Sequence, residues 1–365
     1  MKKVKKENYK IVLKYLLFLA LFFILSFAEI NFAIKPFLVA FLFSLVWCNQ
    51  NPLIISLMYV GVNLIVNPFS VGLLVSSVFC CFVLISLYYI HKKFKKPINR
   101  YIYLLYCLFS QIAFLYYSFT TPESLINAII SVFVSLILLI CYNIFFSSVF
   151  VKGFSSVFTI NEIISCCVFL ISLSVGISSF NVFGIEFIKV FAVFLILLSL
   201  FTLGGKSSFV VAISVGIGSA LQSYSLTLIA VFCIFSGLAL CFEKSNKYFA
   251  SLAILLIDIF LGLYLKVYEV YNIYSVISIV FGCLAFIVIP KQYLNNIKEI
   301  FGSFNSSLLY RNLINSTKDS MVRRLSEISE VFLDMEINFK NMVKGNLPKE
   351  EAKQLLINEL CSKVC

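Results

Sequence analysis

Charge is scarce in this sequence. Asp, Glu, Lys and Arg make up 13% of its 365 residues, while AVILMFWYC residues make up 61%. A soluble domain carries about 25% charged residues. The shortage excludes a water-soluble globular enzyme, a disordered tail and a nucleic-acid-binding domain, because too little polar surface exists to cover a core of this size. The surplus apolar surface must face lipid, so the chain reads as an integral membrane protein. Catalytic signatures are missing as well. There is no GxxxxGK[ST] loop, no HExxH, no GxSxG and no carboxylate cluster of the two-metal type. No catalytic constellation can be assembled from these residues, and no cofactor or metal is expected. The single histidine, His91, sits in a basic loop and reads as a solvated side chain.

What charge there is divides unevenly. Residues 1–290 hold 18 Lys/Arg and 8 Asp/Glu, whereas residues 291–365 hold 11 and 9. The break at Pro290-Lys291 separates an expected membrane domain, 1–290, from a cytoplasmic helical tail, 291–365. The net charge of +12 comes mostly from basic loops beside spans. That pattern encodes orientation rather than nucleic-acid affinity. Twelve cysteines are present, but ten of them lie in or at the ends of apolar runs, where a free thiol behaves as a small hydrophobe. Only Cys361 and Cys365 lie outside such runs, so no disulfide framework is implied.

Twelve segments have about the length and hydropathy that a crossing needs: 11–30, 33–49, 52–68, 70–90, 101–119, 123–149, 161–179, 184–203, 208–222, 225–242, 248–266 and 272–290. The first follows Lys2, Lys3, Lys5 and Lys6, as a signal peptide would. It is too long for a normal apolar core and lacks a small-x-small cleavage site, so it is expected to stay uncleaved. The N-terminal lysines, the loop 91–100, Lys152, Lys206 and the Lys244/Lys247 pair are each separated by an even number of segments. All therefore fall on one side, which places both termini in the cytoplasm. Segments 33–49 and 52–68 are short, and 208–222 is rich in Gly and Ser, so the expectation is an all-α, polytopic membrane protein with about 10–12 transmembrane helices.

The Gly/Ser segment has small residues at every fourth position: Ser208, Ala212, Gly216 and Ala220. They share one helical face and would let helix backbones approach closely. The alternative is a broken transporter helix lining a substrate site. Among ionisable residues, Lys14, Lys35, Glu162, Glu186, Lys189 and Lys266 lie near span ends, where they can snorkel or cap, and Glu29 sits at an outer boundary. Asp258 is mid-span and is a candidate intramembrane polar site. A neutral or hydrogen-bonded carboxyl is the other reading for it, because no intramembrane cation pairs with it in the sequence.

The tail carries a regular apolar stripe. Met321, Leu325, Ile328, Phe332, Met335, Phe339 and Met342 are spaced 4, 3, 4, 3, 4, 3, with Ile314 one heptad earlier. This is the seam of a coiled coil over about three to four heptads. Charged residues such as Arg323, Glu327, Glu330 and Lys340 fill the other faces, and Gly345 and Pro348 end the helix. Few residues follow the last span, so self-association, or docking on a domain outside this chain, is favoured over burial within the chain.

The order of these features resembles the N-terminal membrane region of stage II sporulation protein E. The resemblance begins near residue 157 with VFTINEIISCCVFLISLSVGI. It continues through TLGGKSSFVVAISVGIGSAL, LIAVFCIFSGLALCFEKSNKYFASLAILLIDIFLGLY and LAFIVIPKQYLNNIKE, and it ends with RLSEISEVFLDM and INELCSKVC. Over 1–156 it amounts to little more than spans and basic loops. The resemblance implies about ten membrane helices, a central cytoplasmic region that self-associates and binds the tubulin-like division protein, and a manganese-dependent serine/threonine phosphatase domain. It implies a role in endospore formation at the asymmetric septum. None of the phosphatase residues matches a position here, so the implied role is a non-catalytic anchor and oligomerisation module, a truncated or split product whose phosphatase is encoded separately. The expected partners are the lipid bilayer, a second copy, that phosphatase domain and the division protein, with no nucleic acid. Two alternatives stand beside it. One is a small-molecule or ion transporter using Asp258 and the Gly-rich segment 203–222. The other, a membrane-bound glycan- or lipid-modifying enzyme, needs polar loop residues that are scarce here.

Overall fold

The structure, a computed structural model, describes residues 2–30, 35–67, 71–94, 100–118, 122–152, 159–243, 245–263, 273–297, 321–337 and 340, together with 353–354 and 357–358. The chain divides into two units, Met1–Phe304 and Asn305–Cys365. Each of the twelve apolar segments contains helix. In order these are α1 (Lys2–Ser26), α2 (Phe37–Trp47), α3 (Pro52–Val66), α4 (Val71–Phe94), the pair α5 (Arg100–Ser110) and α6 (Ile112–Tyr117), and α7 (Pro122–Ser147), which runs into a π-helical turn at Ser148–Lys152. Then come α8 (Ile160–Ser178), a short hairpin of β1 (Asn181–Val182) and β2 (Ile185–Glu186), α9 (Phe187–Leu203), α10 (Gly205–Ser223), α11 (Thr227–Cys241), α12 (Lys247–Leu263) and α13 (Ile273–Val288).

Local chemistry sets the helix ends. Pro52 occupies the first position of α3, where its missing N–H costs nothing, and the Asn51 side chain accepts from Leu53 N at 3.1 Å. At the start of α8 the Glu162 carboxylate reaches back to accept from Thr159 N at 2.6 Å. One residue, Gly204, separates α9 from α10, and its φ of 91° is open to glycine at no steric cost. Serines within the apolar helices dispose of their protons by donating to carbonyls one turn back, as Ser44 does to Phe41 O at 2.8 Å.

Among the described residues, three helices are long and apolar enough to cross a membrane by themselves: Val71–Ile90, Ser124–Phe150 and Ile160–Ser178. Others are shorter, and α13 pairs with a helix at Lys291–Ile297 across an 83° bend. The helix α2 is about 16 Å long at 1.5 Å per residue, and nine of its eleven residues are buried. Its apolar side chains fill a core rather than facing lipid.

Two buried clusters occupy the first unit. One gathers α1–α5, α7 and α8 around a knot of aromatic rings, with Phe41 at 4.7 Å from Phe22 and 5.6 Å from Phe146. The other gathers α9–α13 around residues such as Ile196, Phe232, Phe235 and Phe286. Large apolar side chains, including Leu16, Leu57, Phe82, Phe133 and Leu256, point outward instead. An outer surface of this kind is soluble only in lipid.

Candidate functional site

The Gly/Ser run builds α10, which packs against α8, α9 and α11. Ser208, Ala212, Gly216 and Ala220 are all buried. A Cβ placed on Gly216 would lie 2.8 Å from Ile229 Cα of α11. One on Gly218 would lie 2.5 Å from Ser174 Cβ and 2.6 Å from Ile171 O of α8. Ser208 Oγ donates to Ile196 O at 3.2 Å and lies 2.9 Å from Ser236 Oγ. Lipid tails are as apolar as leucine, so burial does not drive helices together in a bilayer; close backbone approach and hydrogen bonds do. A helix enclosed by three others also needs little lipid-compatible surface, which accounts for its weak hydropathy. The helix is continuous from 205 to 223. Its N-terminal end follows directly on the break at Gly204.

Four Asp, Glu, Lys or Arg side chains are buried among the described residues: Glu162, Lys189, Lys247 and Asp258. Glu162 caps α8, as its position near a span end suggested, and also accepts from Ser148 Oγ at 2.5 Å, tying the π-helical turn to α8. Lys189 is buried. Its ammonium lies 3.0 Å from Glu186 Oε1 and donates to Ser275 Oγ of α13 at 2.6 Å, while Ser278 Oγ accepts from Glu186 N at 3.0 Å. The hairpin and α9 are thereby stitched to α13. Lys247, read in the sequence as part of a basic loop, is buried against α13, donating to Ile287 O at 2.5 Å and Ile289 O at 2.7 Å. Lys35, by contrast, stays partly exposed and pairs with Glu29 at 2.5 Å. Lys266 lies outside the described residues.

Asp258 is fully buried in the middle of α12. It shares a face with Ser251, Ile254 and Leu261, and that face meets α13, where Cys283 Sγ donates to Ser251 O at 3.5 Å. Asp258 lies close enough to Cys283 to interact with it electrostatically. No group of three or more His, Cys, Asp or Glu converges among the described residues, and the ten described cysteines are free thiols.

In the second unit, residues 321–337 form a helix. Met321, Leu325, Ile328 and Phe332 all face solvent, with Leu325 and Phe332 65% and 67% exposed. Met335 is half-buried, and Phe339, Met342 and Ile314 lie outside the described residues. Val322, Leu333 and Ile337 are exposed too, so the apolar surface is wider than the seam alone. Arg323–Glu327 at 3.3 Å and Lys340–Glu336 at 2.6 Å pair along the helix. Such exposed pairs contribute about 0.3–0.5 kcal/mol each.

Sequence reading passed over three features: the Lys247 clamp, the Lys189–Ser275 link and a break at Gln111. The last had a local signal, since Gln111 is the one amide in the apolar run 101–117. The two clamps had none, because their partners are 40 or more residues away.

The family model described as "SpoIIE, N-terminal domain" matches residues 1–298. The match takes in residues 1–156, where the sequence had offered only spans and basic loops, and it ends ahead of the tail helix. No curated protein and no solved structure matches the chain.

Proposed function

The chain belongs to the SpoIIE N-terminal domain family, and on that premise we propose that it is a non-catalytic membrane anchor and self-association module acting at the asymmetric septum during endospore formation. That it is a helical membrane region of the sporulation type follows from the family and from the lipid-facing apolar surface. The finer role rests on one observation. The helix at 321–337 presents Leu325, Ile328 and Phe332 to solvent on a heptad seam. A bare seam of this kind is stable when a second helix covers it. The occupant we propose is the same helix of another copy. Docked phosphatase and the tubulin-like division protein are the further partners in this reading, with both termini in the cytoplasm.

The experiment is imaging of a fluorescent fusion to the full chain in a sporulating cell. Enrichment at the asymmetric septum is expected, together with uniform membrane labelling when residues 305–365 are removed. Uniform labelling by the intact chain would overturn the septal role.

A further inference from the structure

An apolar cleft of about 420 Å³ opens on the surface of the first unit. Ile24 of α1 stands on one side of it. Val190, Phe191 and Phe194 of α9 and Ala285 of α13 stand on the other. Ile177 and Phe180, at and just past the end of α8, complete the lining together with Phe187 at the start of α9. No side chain in that lining carries a nitrogen or an oxygen. From Phe187 to Phe194 the cleft follows α9 for about 10 Å at 1.5 Å per residue.

The cleft marks the seam between the two core clusters. Helix α1 buries Phe22 and Leu25 in the first cluster, whereas Ile177, Phe191 and Phe194 pack on the second. Backbones meet closely within each side of the seam. A Cβ on Gly176 of α8 would lie 2.3 Å from Ile24 O of α1, and one on Gly282 of α13 would lie 2.8 Å from Val190 O of α9. Among the described residues, α1 makes little contact with α9 or α13, and the cleft occupies the space between them. At the hairpin end the Phe180 ring lies 4.7 Å from Phe27 and 6.0 Å from Phe23 of α1. Around the mouth, Phe23, Phe187, Phe281 and Leu284 are exposed. The cleft is therefore continuous with the apolar outer surface, which is soluble only in lipid.

We propose that this cleft holds an acyl chain of a membrane lipid, seated between α1 and the α9–α13 pair. Water is a poor occupant, because an ordered water needs several polar partners and these side chains offer none. Empty space is no better, since the lining then forfeits its packing contacts. A helix from a second copy is also a poor occupant. Helices associate in a bilayer through small residues and interhelical hydrogen bonds. This lining has four phenylalanines, no hydrogen-bonding side chain, and Ala285 as its one small residue. A hydrocarbon chain needs neither feature: it carries no polar group along its length and packs against the rings by dispersion. The chain does at the seam what apolar side chains do inside each cluster, and so joins the two halves of the membrane unit. The site does not depend on the septal role, and its test is independent of it.

The test uses the full chain reconstituted in vesicles whose phospholipid carries bromine on its acyl chains, where it quenches tryptophan fluorescence on contact. Trp47 is the only tryptophan in the sequence, so Trp47→Phe gives a silent background. In that background Phe191→Trp reports on the cleft. Phe133→Trp, at a side chain 64% exposed on the open apolar surface, is the control. Relative to vesicles of the unbrominated lipid, both reporters should be quenched to a similar extent. Adding Val190→Phe, which puts a ring into the cleft, should remove most of the quenching at the Phe191→Trp reporter and none at the control. Ala285→Phe fills the same space from an exposed position and serves as a second filling variant. A cleft reporter that stays bright while the control is quenched would overturn the proposal, because the cleft is then closed or covered by a second copy. Quenching of the cleft reporter that neither filling variant reduces would overturn it as well.

Discussion

Lys247 Nζ donates to the carbonyl of Ile289 at 2.7 Å, one residue before Pro290. The same ammonium also reaches Ile287 O. The last carbonyls of a helix have no intrahelical donor, and the proline that follows cannot supply an N–H. A buried cation at the C-terminal end of α13 satisfies both carbonyls and meets the negative end of the helix dipole. Just beyond, the chain turns 83° into the helix Lys291–Ile297, and Leu294 of that helix is buried in the second core cluster. Lys247 thus holds the point where the membrane helices hand over to the polar part of the chain.

Lys247→Met keeps the length of the side chain and removes the donor. Hydrogen bonds to charged groups contribute about 1.5–3 kcal/mol, and the two carbonyls would be left buried. The expected outcome is a clear fall in Tm of the detergent-solubilised protein, with Lys247→Arg intermediate. Tm values equal to wild type would mean that the clamp is incidental.

Gly216→Val tests the close approach of α10 and α11. The first added carbon would meet backbone, Ile229 Cα, at 2.8 Å, so the helices must separate. Overpacking of this kind costs about 1–3 kcal/mol. Gly61→Ala is the internal control: nothing lies within 4 Å of a Cβ there, and helix propensity favours alanine by up to about 1 kcal/mol. Thermal unfolding of the two variants should move in opposite directions.

Asp258→Asn preserves shape and hydrogen-bonding capacity while removing the titratable group. Folding yield and membrane localisation should stay near wild type if the residue is a packed polar link between α12 and α13. Loss of ion or solute uptake by vesicles carrying this variant, relative to wild type, would instead assign it a transport role.

These contrasts show which physical signals the sequence carries. Hydropathy is local and additive, so every apolar segment contains a helix, and the residues spaced by four from Ser208 to Ala220 are buried. Hydropathy could not tell an interior helix from a lipid-facing one at Phe37–Trp47, a short run whose side chains are mostly buried against neighbours such as α7. Hydropathy also split at Gln111, where the apolar run continues across a break made by one buried amide. Long-range polar links were invisible. Lys189 and Lys247 look like ordinary boundary lysines until Ser275 and Ile289 are brought to them by folding.

Orientation is checked by reporter fusions at Lys10, Lys96, Lys206 and Cys365. All four should report cytoplasmic, because the basic loops they mark are separated by even numbers of segments. An external signal at Lys96 or Lys206 would break the inferred topology.

In the proposed function the tail seam joins copies of this chain. The most direct measurement is the mass of the full chain in detergent, by sedimentation, for wild type, Phe332→Asp and the double change Ser326→Glu with Ser329→Glu. Phe332 is 67% exposed in the single chain, and burying such a side chain against a partner contributes about 1.5–3 kcal/mol. An unpaired carboxylate at the same place would cost several kcal/mol on burial. An oligomeric wild type, a smaller species for Phe332→Asp and a wild-type mass for the off-seam double change are expected. A monomeric wild type, or an oligomer whose mass is unchanged by Phe332→Asp, would contradict it.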